Sequence, residues 1–458
     1  MARSRFIRRV RISASADEAF SWHSRQGAFE RLSPPWESVD VVERSGSIRN
    51  GDRVLLQVKQ GPVSVRWELE HEDFEDGRQF CDVQVSGPFT EWRHEHRFVP
   101  AGEECYLEDA IQFRLPGGPV GGVFAPLVRR KLERLFKYRH DVTQRDIAIH
   151  QGGKTMNVLV TGSTGLVGSA LVPFLTTGGH EVRRLVRQEP QPGEVGWDPA
   201  EGSIDATGLE GLDAVVHLAG ENIAEGRWTE AKKERIRDSR VEGTRILCEA
   251  LAGLENPPKV LVCASAIGFY GDRGDEVLTE ASPPGEGFLA EVCQAWEAST
   301  AEAEAAGIRV VHTRIGLVAT PAGGFLQMLL PITTLGLGGW PGAGAGYMPW
   351  IALDDVLYAI HHAILDDELA GPVNLSAPAP ATSKAFVKTL ASVQNRPAVL
   401  RVPEGLLRLV GGELVRKEAL KSVRMRPAAL LDRGFRFATP DLRLALAHLT
   451  GHLDSHTL

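Results

Sequence analysis

The stretch TGSTGLVG at residues 161–168 places Gly162, Gly165 and Gly168 at intervals of three, directly after the apolar run MNVLV and before an amphipathic helical pattern. Glycine allows a tight turn and close backbone approach, so the helix that follows can present bare N–H groups and the positive end of its dipole to a pyrophosphate. The turn residues Gly162, Ser163, Thr164, Gly165, Leu166, Val167 and Gly168 are therefore expected to bind a dinucleotide. An acidic residue at the end of the next strand would suit a ribose diol, whereas a basic one would suit a 2′-phosphate. The sequence there, EVRRLVRQEP, offers Arg184 and Arg187 and no aspartate, which favours NADP(H) over NAD(H). Arg187, nearest the strand end, is the stronger candidate.

These residues need a frame. From Met156 onward, short apolar runs (MNVLVTG, EVRRLVR, DAVVHLAG, VLVCASA, IRVVHTRIGLV) alternate with helical patterns. Runs of that kind imply a parallel sheet buried on both faces, a doubly wound α/β Rossmann domain over 156–458. The first 150 residues differ, with alternating strand-like runs such as FIRRVRIS, DRVLLQV and VSVRWELE that predict an antiparallel sheet. Ser15 and Glu18 have the spacing of a capping box that opens a helix. Phe124, Val128, Leu132, Leu135 and Val142 recur at helical spacing, predicting one long amphipathic helix at the end of this unit. The segment DIAIHQGGKTM reads as a flexible joint, since its GGKT lacks the first glycine of a phosphate-binding loop.

The order strand, short helices, curved sheet and long terminal helix, with the ending LERLFKYRH, resembles the START/Bet v1-like SRPBCC superfamily and its α+β helix-grip fold. That resemblance implies an apolar ligand held between helix and sheet. The blocks DAVVHLAGENIA, RWTEAKKERIRDSRVEGT, SAIGFYGDRGDEVLTE, FLAEVCQAWE and RPAALLDRGFRFATPDLRLAL, together with the glycine turn, resemble the atypical extended short-chain dehydrogenases/reductases known as epimerase family proteins. The resemblance covers 156–458 and implies a small C-terminal cap, at about 376–458, with Leu218, Ala219, Gly220 and Arg240 along the cofactor.

Typical short-chain reductases orient the substrate with a serine, transfer the proton through a tyrosine, and lower that tyrosine's pKa with a lysine four residues on. Ser265, just after VLVCA, fits the first role. None of the five tyrosines has a lysine four positions later. Tyr270, expected at the rim of the cofactor cleft, is the remaining proton donor. Cys293 and Glu297 are weaker candidates, and His217 reads as a core histidine. Where the family shows a polar Arg-Gln pair and a histidine, this chain has Ala345-Gly346 and Ala352, which makes the substrate side less polar. Asp354 and Asp355 read as capping charges at a helix start.

Several functions are disfavoured. The net charge of −8 and interleaved basic residues argue against nucleic acid as a partner. Five scattered cysteines suit free thiols in a reducing cytoplasm, and no apolar run is long enough for a membrane span. His94 and His96 alternate on one strand face without a third ligand at useful spacing, so no metal site is expected. Two readings stand: an NADP(H)-dependent oxidoreductase or epimerase-like enzyme acting on a small carbonyl or hydroxyl compound, or a non-catalytic NADP(H) sensor or ligand carrier.

Overall fold

The computed structural model describes residues 3–61, 63–403 and 421–452. Contacts divide the chain into two units, the first built mainly from residues 1–155 and the second mainly from 156–452.

In the first unit, strands β1 (Ser4–Ile12), β2 (Ser38–Arg44), β3 (Arg53–Gln60), β4 (Val63–Glu75), β5 (Gln79–Ser86), β6 (Glu91–Ala101) and β7 (Glu104–Arg114) form one antiparallel sheet in the order β1-β7-β6-β5-β4-β3-β2. Helices α1 (Ala16–Ser24) and α2 (Ala28–Leu32) fill the connection from β1 to β2. Ser15 opens α1 by accepting the Glu18 N–H at 3.2 Å. After α3 (Gly118–Gly122), the long helix α4 (Ala125–His150) completes the helix-grip fold. Its Phe136 ring lies 5.6 Å from Phe6 on β1, and Leu132 joins the same core cluster. The two-residue period of β6 sends Trp92, His94, His96 and Phe98 inward and leaves Arg93, Glu95 and Arg97 less buried.

The expected flexible joint starts later than its composition suggests. Residues 146–150 are the last turn of α4, and Asp146, wholly buried, accepts two hydrogen bonds from Arg31 at 2.7 and 2.8 Å. A buried bidentate pair of this kind is costly to break, which fixes the helix through that turn.

In the second unit, β8 (Asn157–Thr161), α5 (Gly168–Thr177), β9 (Glu181–Val186), β10 (Glu194–Asp198), β11 (Ser203–Ile204), β12 (Ala214–His217), α6 (Glu230–Ala252), β13 (Val260–Ala266) and α7 (Phe288–Ala298) follow in sequence. The sheet runs β11-β10-β9-β8-β12-β13, followed by strands Arg309–Ile315 and Gly371–Leu375. Only the β10–β11 pairing in it is antiparallel. Strands β8, β12 and β13 read as near-continuous apolar runs, as expected of a parallel sheet buried on both faces. Strand order reverses between β8 and β12, so their carboxyl ends border the crevice where open α/β sheets bind ligands.

Asp354 and Asp355 do more than charge a helix start. Helix Leu353–Leu365 has Ala352 at its N-cap with no side-chain cap. The Asp355 carboxylate instead accepts the Ala438 and Thr439 N–H groups at 2.6 and 3.1 Å and the Thr439 hydroxyl at 2.5 Å, while Asp354 lies 3.7 Å from His448. They bind the C-terminal segment to the sheet domain. Of the expected cap, 404–420 and 453–458 lie outside the described residues.

Candidate functional site

The glycine turn follows β8 without a break. Gly162 has φ +64°, and a Cβ there would meet the Leu218 carbonyl carbon at 2.7 Å and the Ala219 nitrogen at 2.9 Å. A Cβ on Gly168 would lie 2.2 Å from the Gly162 carbonyl oxygen. Both contacts are with backbone, so glycine is needed for the turn to fold against the end of β12 and to start α5. Gly165 N–H donates to the Gly162 carbonyl at 2.9 Å and closes the turn. Ser163 is buried within it, while Thr164 and Gly165 are exposed and Leu166 and Val167 are partly so. The Ser169 and Leu171 N–H groups donate to the Gly165 and Val167 carbonyls, each at 2.9 Å, so α5 begins directly from the turn and aims the positive end of its dipole at it, the feature an anionic ligand uses.

Leu218 and Ala219 donate their N–H groups to the Thr161 hydroxyl, each at 3.0 Å, and this holds the end of β12 beside the turn. A Cβ on Gly220 would lie 3.1 Å from the Arg240 guanidinium carbon. Arg240 is fixed there by hydrogen bonds to the Glu221 and Ile236 carbonyls and by the Trp296 ring, 5.1 Å away. The two candidate arginines separate clearly. Arg184 is ion-paired with Glu194 at 2.8 Å. Arg187 is exposed just past β9, with no side-chain hydrogen bond or ion pair among the described residues.

At the carboxyl ends of β13 and its neighbours lies a buried polar chain. Ser265 donates its hydroxyl proton to Glu297 at 2.6 Å. Arg314, from the adjacent strand, grips both oxygens of Glu297 at 2.9 and 2.8 Å and donates to the Tyr270 hydroxyl at 3.0 Å. Tyr270 in turn donates to Asn374 at 2.6 Å. The rim position expected for Tyr270 is corrected: its side chain is wholly buried, and burial raises its pKa from the ordinary phenol value. The Arg314 guanidinium also lies over two rings, 3.4 Å from the Phe269 centroid and 5.2 Å from that of Tyr270.

Glu297, a weaker candidate in the sequence, is the centre of this chain, and Arg314 stands out only in the structure. Glu297 is the last residue of FLAEVCQAWE, and Arg314 lies opposite Ser265 in the strand register. The face that α7 turns toward Gly268 carries Leu289 and Cys293, four residues apart. Burial pushes the Cys293 thiol up to about 11, so it is neutral near pH 7. His217 is a buried core histidine, hydrogen-bonded on both ring nitrogens to Thr161 and Thr244.

The first unit encloses a cavity of about 1030 Å³ between α4 and the sheet, walled by apolar residues including Phe29, Leu56, Trp92 and Leu132. Besides charged residues such as Arg25, Glu37, Arg44 and Arg139, the wall carries a cluster of histidines and carboxylates. The expectation that His94 and His96 lack a third partner is corrected by strand pairing: Asp82 on β5 lies opposite His94, and Asp109 on β7 lies opposite His96. His71 and His140 complete the patch. Among the described residues, no helix is long and apolar enough to cross a membrane.

Residues 158–375 match the NAD dependent epimerase/dehydratase family, 402–449 match a domain of unknown function (DUF1731), and 12–139 match the polyketide cyclase/dehydrase and lipid transport family. Epimerase family protein Mb2239 of Mycobacterium bovis is 41% identical over 294 residues, which span 64% of this chain and 97% of the relative. The crystal structure of a nucleoside-diphosphate sugar epimerase from Corynebacterium glutamicum is 34% identical with a TM-score of 0.80, and the match covers 98% of this chain and 90% of that one. Human epimerase family protein SDR39U1, crystallised with NADPH, is 31% identical with a TM-score of 0.59 and covers 65% of this chain and 100% of its own.

Proposed function

Because the chain belongs to the NAD-dependent epimerase/dehydratase family, as an epimerase family protein with a polyketide cyclase-type N-terminal unit, we propose that it is an NADP(H)-dependent oxidoreductase or epimerase-like enzyme acting on a small carbonyl or hydroxyl compound. The observation that carries the cofactor choice is Arg187, an exposed and uncommitted cation where a 2′-phosphate would lie, beside a glycine turn that only glycine can make. The NADPH in the human relative's crystal structure supports the same choice.

When bound, a nicotinamide exchanges hydride with the substrate carbon. The protein's part is to orient the oxygen and move its proton. Ser265 has committed its own proton to Glu297, so it receives a substrate hydroxyl as an acceptor. As the substrate hydroxyl gives its proton to Ser265, the Ser265 proton passes to Glu297, and reduction runs the same relay backward. Arg314 holds Glu297 in place with two hydrogen bonds, and Tyr270 positions Arg314 from behind. The apolar cavity of the N-terminal unit binds a hydrophobic ligand.

A second reading, an NADP(H) sensor without turnover, draws on the α7 face, where Leu289 and a neutral thiol stand in place of any phenol–ammonium pair. One experiment separates the two. NADPH fluorescence is titrated against the full chain, and its oxidation is then followed over a panel of carbonyl compounds. Binding with turnover supports the enzyme, binding without turnover on a broad panel supports the sensor, and absence of binding overturns both.

A further inference from the structure

The polar patch in the N-terminal cavity brings three possible ligand atoms together. Asp109 Oδ1 is hydrogen-bonded to His94 Nε2 at 2.8 Å and lies 2.9 Å from His96 Nδ1. Asp109 Oδ2 lies 2.6 Å from His140 Nε2. The second nitrogen of each ring points the other way. His94 Nδ1 and His96 Nε2 then both face Asp82 Oδ2, at 3.5 and 3.3 Å. The other Asp82 oxygen lies 2.8 Å from His71 Nδ1.

Two imidazole nitrogens and a carboxylate oxygen thus converge at a range where a cation among them would be strongly attracted, and both imidazoles are buried. His94, His96, Asp109 and His140 are each at most 6% exposed. The spacing also fits a cation. Ligand atoms about 2.0–2.1 Å from a tetrahedral ion lie roughly 3.3–3.4 Å from each other. The 3.5 Å separation is long for a hydrogen bond but suits a shared ion, and all three donor atoms lie within 4.8 Å of one another. Asp109 behind both imidazoles and His71 behind Asp82 are what orients ligands in such sites.

We propose that His94 Nδ1, His96 Nε2 and Asp82 Oδ2 bind one divalent first-row transition cation, with an open position facing the apolar cavity. Two imidazoles and one carboxylate match Zn²⁺ and its neighbours rather than Mg²⁺ or Ca²⁺, which prefer all-oxygen sites. His71, Asp82, His94 and His96 all line the cavity. The ligand class that follows is an apolar compound ending in an oxygen donor such as a carbonyl, hydroxyl or carboxylate. This site is independent of the dinucleotide reading, since its residues all belong to the first unit.

The test uses the full chain, stripped with a chelator and titrated with Co²⁺ alone at neutral pH. The expected result is visible d–d absorption that saturates at one equivalent and is bleached by Zn²⁺. His94→Ala and His96→Ala are each expected to lose that equivalent, and Asp109→Asn, which supplies no donor, to weaken Co²⁺ binding roughly 10- to 100-fold. Far-UV circular dichroism accompanies each variant, and the nearly isosteric Asp82→Asn repeats the loss wherever an alanine variant unfolds. If the folded wild-type chain develops no Co²⁺ absorption, protons rather than a cation supply the positive charge and the site is overturned. Absorption that persists unchanged in a folded His94→Ala/His96→Ala double variant overturns it equally.

Discussion

The hydroxyl of Thr161 and Nδ1 of His217 lie 2.8 Å apart, at paired positions on the carboxyl ends of β8 and β12. Thr161 Oγ1 already accepts two N–H groups, from Leu218 and Ala219, so its own proton points at His217. Nδ1 is therefore the acceptor and Nε2 carries the hydrogen, donated to Thr244 at 3.0 Å. A neutral histidine thus anchors the backbone that borders the dinucleotide turn.

Stability should fall in mild acid through this residue. Burial lowers the His217 pKa from 6.5 to about 4. Above pH 6.5 the ring is neutral folded or unfolded, so its full contribution is present; as pH falls toward 4 the unfolded chain takes up the proton first. The loss approaches about 3 kcal/mol across that window. Urea unfolding of wild type and His217→Gln at pH 7 and pH 4.5 checks it: the variant should be less stable at pH 7 and show a shallower decline.

Gly162→Ala should abolish dinucleotide binding. The added Cβ would face strain at φ +64° as well as the Leu218 and Ala219 backbone, so the turn must open or β12 must move. Loss of NADPH fluorescence enhancement in a variant with a native circular dichroism spectrum is the expected outcome.

Arg187→Ala should weaken NADPH binding roughly 10- to 100-fold, the worth of a charge-assisted hydrogen bond, and leave NADH binding unchanged. Arg184→Ala should have a smaller effect, because Arg184 is engaged with Glu194. Equal losses for both cofactors in the Arg187 variant would remove it from the 2′-phosphate.

Ser265→Ala and Tyr270→Phe should separate chemistry from support. The first is expected to cut kcat by about 100-fold or more with the fold intact. The second should lower stability by about 1–3 kcal/mol, since Asn374 Oδ1 loses its buried donor, while activity per folded molecule changes little. Paired denaturation and single-turnover measurements distinguish them.

Glu297→Ala should be severely destabilising, by about 3–5 kcal/mol, because it strands the Arg314 guanidinium, only 4% exposed, without its carboxylate. Thermal unfolding of the single variant against a Glu297→Ala/Arg314→Met double variant checks this, with partial recovery expected in the double.

Local signals were legible in the chain itself. The glycine turn, the apolar strands from β8 to β13, the Ser15 cap and the amphipathic α4 each rest on neighbours within a few residues. Partnerships made across strands were not. Asp82 and His94 are twelve residues apart and meet only once β5 and β6 pair in a given register. Ser265, Glu297 and Arg314 come from a strand, a helix and a second strand, and no spacing rule brings them together. The sequence likewise gives no measure of depth, which is why Tyr270, beside a glycine-rich loop, reads as a rim residue and lies in the core. In Asp355, a charge placed correctly at a helix start has partners more than eighty residues later.

That last contact bears on how the chain is made. Until Ala438 and Thr439 leave the ribosome, the Asp355 carboxylate has none of the three donors that hold it in the finished protein, and burial alone raises its pKa and opposes its charge. Helix Leu353–Leu365 therefore cannot settle fully before those two residues are available. The α/β unit reaches its final state only after residue 439 has been made, and a chain ending short of residue 438 would leave the Asp355 carboxylate without these donors.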